Sequence, residues 1–124
     1  MKVSVIIPVY NEAKVVLDCL ESLSKQTYGQ SPKSAISKDT EIIIVDDGST
    51  DNTLGVISKF QTPNYKLQIL KQHHLGPGIA RNLGAAHAGG DILVFVDADM
   101  TFGKKFIQML IKPIVSGNAK GTFS

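Results

Sequence analysis

The 124-residue sequence predicts an α/β fold of three layers, with helices on both faces of a mainly parallel sheet. Three observations predict it. Strand-like segments alternate with segments of helix length along the whole chain, the pattern of successive β-α-β crossovers. Two of the strand-like segments, residues 41–45 and 92–96, carry unbroken apolar runs (Ile42-Ile43-Ile44-Val45 and Ile92-Leu93-Val94-Phe95-Val96) and read as strands buried on both faces. Both run straight into acids, Asp46-Asp47 and Asp97-Ala98-Asp99, read as two acidic pairs at neighbouring strand ends, and open parallel sheets bind their ligands at the carboxyl ends of strands.

The elements follow in order. Residues 3–9 form a strand. Residues 12–26 place apolar side chains at 13, 15, 16, 17, 19, 20 and 23, a helical stripe, with Asn11 as its cap and Glu12 suited to its positive end. Residues 41–45 are the second strand and 51–60 the second helix. Residues 66–71 are a shorter third strand, and 77–88 a third helix opened by Pro77, as first turns prefer. Residues 92–96 are the fourth strand, 102–115 a fourth helix that Pro113 should kink or end, and 120–123 the beginning of another strand. Residues 29–40 (GQSPKSAISKDT) are polar and rich in Ser and Lys, which predicts a flexible surface-loop insertion.

Length sets a single domain over residues 1–124, large enough for a real core and too small for two. With 43% hydrophobic and 19% charged residues, the chain has the composition of a globular domain and not of a disordered one. A net charge of +2 gives no electrostatic case for binding nucleic acid or an anionic membrane. The lone Cys19 excludes an internal disulfide, fits a reducing, cytoplasmic compartment and falls among the apolar positions of the first helix, as a core residue. No apolar run approaches the roughly 18 residues of a membrane span, and no signal-peptide pattern precedes the first strand. The sequence stops at Ser124 just as a strand begins, which reads as a fragment or a boundary cut for convenience.

Four motifs carry chemistry. Asp97-Ala98-Asp99 sets alternate carboxylates after a strand, where they can share a hard cation such as Mg²⁺ or Mn²⁺ with substrate phosphates; a turn of solvated acids is the plainer alternative. In Asp46-Asp47-Gly48-Ser49-Thr50-Asp51, Gly48 permits a tight turn and Ser49, Thr50 or Asp51 can cap the next helix. Capping does not account for two adjacent acids at a strand tip, and a nucleobase N–H is a natural donor to one of them. Gly76-Pro77-Gly78-Ile79-Ala80-Arg81-Asn82-Leu83-Gly84 can bring backbone N–H groups to a phosphate. It departs from the dinucleotide-binding G-x-G-x-x-G by placing Arg81, the only arginine, at the third glycine and by following the third strand. Arg81 can meet phosphate or carboxylate bidentately, or bridge to an acid of the site. In Pro8-Val9-Tyr10-Asn11-Glu12, Tyr10 can stack on a flat base and Glu12 can bond a ribose or cation. His73 and His74 lack Cys or a third nearby His and read as solvent-exposed.

Taken in order, VSVIIPVYNE, IIIVDDGSTDNT and GPGIARNLGAAHAGGDILVFVDADM resemble a family 2 glycosyltransferase, and more narrowly the nucleotide-sugar-binding N-terminal half of the GT-A fold. The resemblance covers nearly the whole chain. It implies a hexosyltransferase-like enzyme that moves a sugar from a UDP-sugar or GDP-sugar donor to a sugar, lipid or protein acceptor, with inversion. By matched position it implies that Pro8, Tyr10 and Glu12 line the base and ribose end and that Asp47 bonds the base with Asp46 in support. Arg81 and Asn82 then lie beside the donor, Asp97 faces the ribose or the metal shell, and Asp99 ligates Mn²⁺ or Mg²⁺. The family's general base falls beyond Ser124, so the chain by itself is expected to bind donor and metal without transferring sugar. The longer protein is expected in the cytoplasm or on the cytoplasmic side of a membrane. An exposed sheet edge predicts self-association into a homo-oligomer. Two other readings stand beside this one: a non-catalytic nucleotide-binding module, and a nucleotidyltransferase of related layout. The second would carry a glycine-rich basic loop after the first strand, which PVYNE lacks.

Overall fold

The computed structural model describes residues 2–25, 40–60, 66–103, 105–107 and 109–110. The elements in chain order are β1 (Val3–Val9), α1 (Val16–Ser24), β2 (Glu41–Asp46), α2 (Thr53–Lys59), β3 (Lys66–Lys71), α3 (Pro77–His87) and β4 (Ile92–Phe95). Each strand lies within one residue of its expected bounds. The helix expected over 102–115 is represented by helical residues 106–107 and 109–110, and the rest of it falls mostly outside the described residues. Residues 29–39 of the polar insertion and the strand start at 120–123 lie wholly outside them.

All four strands are parallel, in the order β3-β2-β1-β4. Successive side chains of a strand point to opposite faces, and the register carries that alternation across the sheet. Val3, Val5, Ile7 and Val9 of β1 share one face with Ile42 and Ile44 of β2 and Ile92 and Val94 of β4. That face is covered by Val16, Cys19, Leu20 and Leu23 of α1, Ile57 of α2 and Ile107. Ile6, Ile43 and Val45 point the other way and pack under Ala80 of α3. A sheet apolar on both faces must be covered on both, which gives the expected three layers. Among the described residues no helix is long and apolar enough to cross a membrane.

Three expectations are corrected. The two acidic strand ends are not neighbours, because β1 runs between β2 and β4 and the acids flank its tip. The fourth strand is not buried on both faces: among the described residues it is the last of the sheet, and Leu93 and Phe95 are 39% and 42% exposed on the α3 side, where α3 packs on β1 and β2. The first helix starts at Val16 and not at Glu12, with no side-chain cap, because Asn11 is used elsewhere.

Two close approaches fix the layers. A Cβ on Gly84 would stand 2.6 Å from Ile6 Cγ2 and 3.2 Å from Val45 Cγ2, so α3 lies flat on the sheet only because this position has no side chain. At the amino ends of the strands, Glu41 Oε2 accepts from Ser4 Oγ at 2.7 Å and from the Gly89 N–H at 2.7 Å, with Lys2 Nζ at 3.7 Å. Burial favours protonating Glu41, but these donors and the lysine charge hold its carboxyl below the ordinary range. Ser4 Oγ also accepts from the Gly90 N–H at 2.8 Å, and this polar cluster ties the start of β1 and β2 to the turn before β4.

Candidate functional site

The opposite end of the sheet holds a pocket of about 370 Å³. Its walls come from the tip of β1 (Pro8, Val9, Tyr10, Glu12), the residue after β2 (Asp47), the β3–α3 loop (His74, Pro77) and the turn after β4 (Asp97, Ala98, Asp99). A wider recess of about 800 Å³ between α1 and α2, lined by Leu17, Glu21, Ser24, Lys25, Val56, Lys59 and Phe60, is a shallow helix-helix groove away from the strand ends.

Asn11 locks two of these walls together. Its φ of 52° lies in the left-handed region that asparagine tolerates better than most residues. From there its Oδ1 accepts from the Thr50 N–H at 2.8 Å, the Asp51 N–H at 3.2 Å and the Thr50 hydroxyl at 3.3 Å, while its own N–H donates to Ser49 Oγ at 2.9 Å. The Glu12 N–H donates to Thr53 Oγ1 at 2.9 Å, and the Ala13 N–H to Asp51 Oδ2 at 3.3 Å. Asp51 also receives the Thr53 hydroxyl and, at 2.9 Å, the Thr53 N–H, so it braces the start of α2 from one residue before the N-cap; the cap position is Asn52, without a side-chain cap, and α2 begins two residues later than expected. These donors, led by the Thr53 hydroxyl, keep the Asp51 carboxyl below its ordinary pKa.

Asp47 builds the third wall. It is 2% exposed. Its Oδ1 accepts from Gln72 Nε2 at 2.7 Å, the Leu75 N–H at 2.7 Å and the Gly76 N–H at 3.3 Å; its Oδ2 accepts from the Gly76 N–H at 3.0 Å and stands 3.1 Å from His74 Nδ1. Burial pushes this carboxyl toward protonation, and the donors from Gln72, Leu75 and Gly76 with the nearby His74 outweigh it and lower the pKa. The N–H groups before α3, expected to reach a phosphate, are thus occupied by the chain's own carboxylate. Gly76, at φ 101°, provides the left-handed turn that aims them there. The His74 ring also lies beside Tyr10, with centroids 4.1 Å apart and planes 31° from parallel.

The turn after β4 supplies negative charge. Arg81 Nη2 meets Asp97 Oδ1 at 3.3 Å, with both side chains substantially exposed, and Asp99 is exposed beside it. The field of these acids reaches inward. Burial raises the Glu12 pKa, and Asp99, Asp51 and Asp97 raise it further. The buried Cys19 thiol, whose Sγ contacts the Asp97 carbonyl at 3.8 Å, is pushed up to about 12 by burial and then by Asp99, Asp97 and Glu12. Cys19 is therefore a neutral core residue, as expected. Among the described residues no three His, Cys, Asp or Glu side chains converge as a ready-made metal cage.

Of the residues singled out in the sequence, the pocket gathers Pro8, Tyr10, Glu12, Asp47, Asp97 and Asp99. Arg81 joins through Asp97. Asp46 stands behind the pocket, 3% exposed, with Oδ1 accepting from the Ser49 N–H at 3.3 Å, so its role is to brace the turn. Asn82 is exposed on α3 and does not line the pocket. His73 and His74 are exposed, as expected, but sequence reasoning gave His74 no place in the site and missed Gln72. An imidazole and an amide after a strand carry no spacing signal, and only the fold brings them to Asp47.

The family profile described as glycosyl transferase family 2 matches residues 4–123. The poly(ribitol-phosphate) beta-N-acetylglucosaminyltransferase TarS of Staphylococcus aureus is 38% identical over 109 residues, covering 87% of this chain and 18% of its own length. The structure of S. aureus TarS 1–349 in complex with UDP-GlcNAc superposes with a TM-score of 0.73 at 36% identity, over 94% of this chain and 32% of that one. The mannosyltransferase PcManGT from Pyrobaculum calidifontis, in complex with GDP-Man and Mn²⁺, gives 0.70 at 30% identity over 81% of this chain and 28% of that one. The chain therefore spans about a third or less of each of these proteins.

Proposed function

The chain belongs to glycosyl transferase family 2 and has a GT-A-type core, and from that premise we propose that it is the donor-binding part of an enzyme that transfers a sugar from a nucleoside diphosphate. The observation that carries this reading is the polarity of the pocket. One end offers the flat rings of Tyr10 and His74, and the other offers Asp97, Asp99 and the half-buried Glu12. A nucleotide sugar has the matching asymmetry: an aromatic base at one end and, beyond a ribose, an anionic diphosphate that reaches carboxylates only with a cation between.

The acids fit a divalent cation. Asp97 and Asp99 raise the pKa values of their neighbours, the mark of negative charge that is incompletely offset, and Arg81 is the one cation paired to them among the described residues. Mn²⁺ and Mg²⁺ take one or two carboxylates and complete their shell with phosphate oxygens and water, so a full protein cage is not needed. Asp99 would hold the ion, with Asp97 beside it. Bound there, the ion would neutralise charge on the departing diphosphate. The remaining steps belong to side chains. Tyr10 stacks the base, Glu12 faces the ribose, and Arg81 orients the Asp97 carboxylate at the rim. Inversion requires a base on the acceptor hydroxyl, which in this reading comes from beyond Ser124. The acceptor is a hydroxyl of a sugar, lipid or protein.

Calorimetric titration with UDP, GDP and their sugar conjugates, with and without Mn²⁺, tests the reading. Metal-dependent binding of one nucleotide is expected, with the metal dependence removed by Asp99→Asn. Unchanged metal-dependent affinity in Asp99→Asn would refute the assignment of the ion.

A further inference from the structure

We propose that Cys19 is a positioning residue for the acidic turn after β4: its S–H donates to the Asp97 carbonyl and so holds the backbone from which Asp97 and Asp99 reach a divalent cation. The inference rests on the reading of these acids as a cation site. It starts from a contact between distant segments. Cys19 Sγ, on α1, stands 3.8 Å from the carbonyl oxygen of Asp97, 78 residues further along the chain. A carbonyl can only accept, so the thiol is the donor, and a thiol buried as fully as Cys19 keeps its proton. Cysteine suits the place. It is a small apolar body among Val16, Leu20 and Leu23 of the core, and it still carries one weak donor, which an alanine or valine would lack.

The second observation is what else that carbonyl does. It accepts the Met100 N–H at 3.1 Å, the bond that closes the turn Asp97-Ala98-Asp99-Met100. One residue earlier, the Val96 N–H still donates to the Ile6 carbonyl of β1 at 3.1 Å. From there the turn leaves the sheet with Asp97 and Asp99 exposed and Ala98, 2% exposed, set in the same core cluster as Cys19. Among the described residues the Cys19 thiol is the one side chain that hydrogen-bonds the backbone of this turn. Arg81 acts on the Asp97 carboxylate at the rim, and Cys19 acts on the Asp97 carbonyl from the core side. The planar peptide that carries this oxygen also joins Asp97 to Ala98, so its tilt governs how the side chains of Asp97 and Asp99 stand relative to each other. A small divalent cation tolerates little error in the placing of its carboxylates. The thiol therefore bears on the cation without touching it.

Two measurements test it. The chain holds one cysteine, so the Raman S–H stretching band belongs to Cys19 alone. It should lie below the frequency of a free thiol, as hydrogen-bonded thiols do. A band at the free-thiol position would overturn the proposal with no variant needed. The second measurement is the gain in affinity for UDP and for GDP that Mn²⁺ confers on the full chain. Cys19→Val, apolar and without a donor, should lower that gain about 2- to 5-fold, the scale of one weak hydrogen bond. Cys19→Ser keeps a donor and should stay closer to wild type, although it buries a hydroxyl among apolar side chains. Affinity for the nucleotides without metal should be the same in all three. A wild-type gain in Cys19→Val would overturn the proposal, as would a loss in Cys19→Ser as large as that in Cys19→Val, and in both cases the cation site would stand. If Mn²⁺ gave wild type no gain, the cation reading would fall and this proposal with it. Should neither variant fold, the wild-type Raman band decides.

Discussion

Arg81 Nη2 lies 3.3 Å from Asp97 Oδ1, so the single arginine of the chain is tied to the first acid of Asp97-Ala98-Asp99. The pair joins α3 to the turn after β4 at the rim of the pocket. Both side chains are substantially exposed, and an ion pair in that setting contributes little to folding. Arg81→Gln should therefore change the urea-unfolding free energy by less than about 1 kcal/mol. A loss of several kcal/mol would mean that the pair is structural and that its place at the rim is incidental.

Asp47 is different, because its carboxylate satisfies buried donors. Asp47→Ala leaves the Leu75 and Gly76 N–H groups without their acceptor, and should destabilise by about 2–4 kcal/mol at neutral pH. Its folded pKa is depressed from 3.8, so its stabilising contribution is complete above that value and is lost as pH falls through the lower, folded one. Glu41 follows the same sign from 4.5. Chemical denaturation between pH 6 and about pH 2.5 should show a steeper acid decline in wild type than in Asp47→Asn. Parallel curves would remove Asp47 from the acid linkage.

Gly84→Ala places a methyl 2.6 Å from Ile6 Cγ2 in the layer between α3 and the sheet. A β-branched neighbour has little freedom to turn aside, so the helix must lift. The expected loss is about 1–3 kcal/mol in a urea melt, opposite in sign to the usual gain from replacing a helical glycine with alanine. A stabilised variant would show that α3 can shift without cost.

Asn11 combines a left-handed backbone with three accepted hydrogen bonds. Asn11→Gly keeps the first and loses the second, and Asn11→Ala loses both. The alanine variant should be the less stable by about 1–2 kcal/mol, the cost of the left-handed backbone for a residue with a Cβ. Thermal unfolding of the two variants side by side measures that difference. Equal stability would mean that the backbone relaxes once the side chain is gone.

The sheet was legible because its signals are local. Runs such as Ile42–Val45 and the acids that end them specify strands and strand ends without knowledge of the partner strand, and β1 to β4 fall within a residue of expectation. The candidate acids were legible for the same reason: they stand at strand tips, and strand tips meet. What could not be read was pairing. Nothing in a linear pattern says that β1 separates the two acidic ends, or that β4 is the last strand of the sheet among the described residues, with Phe95 42% exposed. Asn11 looks like a helix cap because caps are local, yet its partners Thr50 and Asp51 are 39 and 40 residues away. His74 finds Asp47 at a separation of 27, and no periodicity encodes that meeting.

The clasp of Asn11 on Thr50 and Asp51 has a consequence for affinity. A loop that must be ordered by its ligand charges the conformational entropy of that ordering against binding. Here two of the loops that wall the pocket already hold each other in the free chain. The freedom they would otherwise lose on association was already surrendered during folding. More of a ligand's contact energy is then expressed as residence, and binding should leave this corner of the backbone where it stands in the free protein.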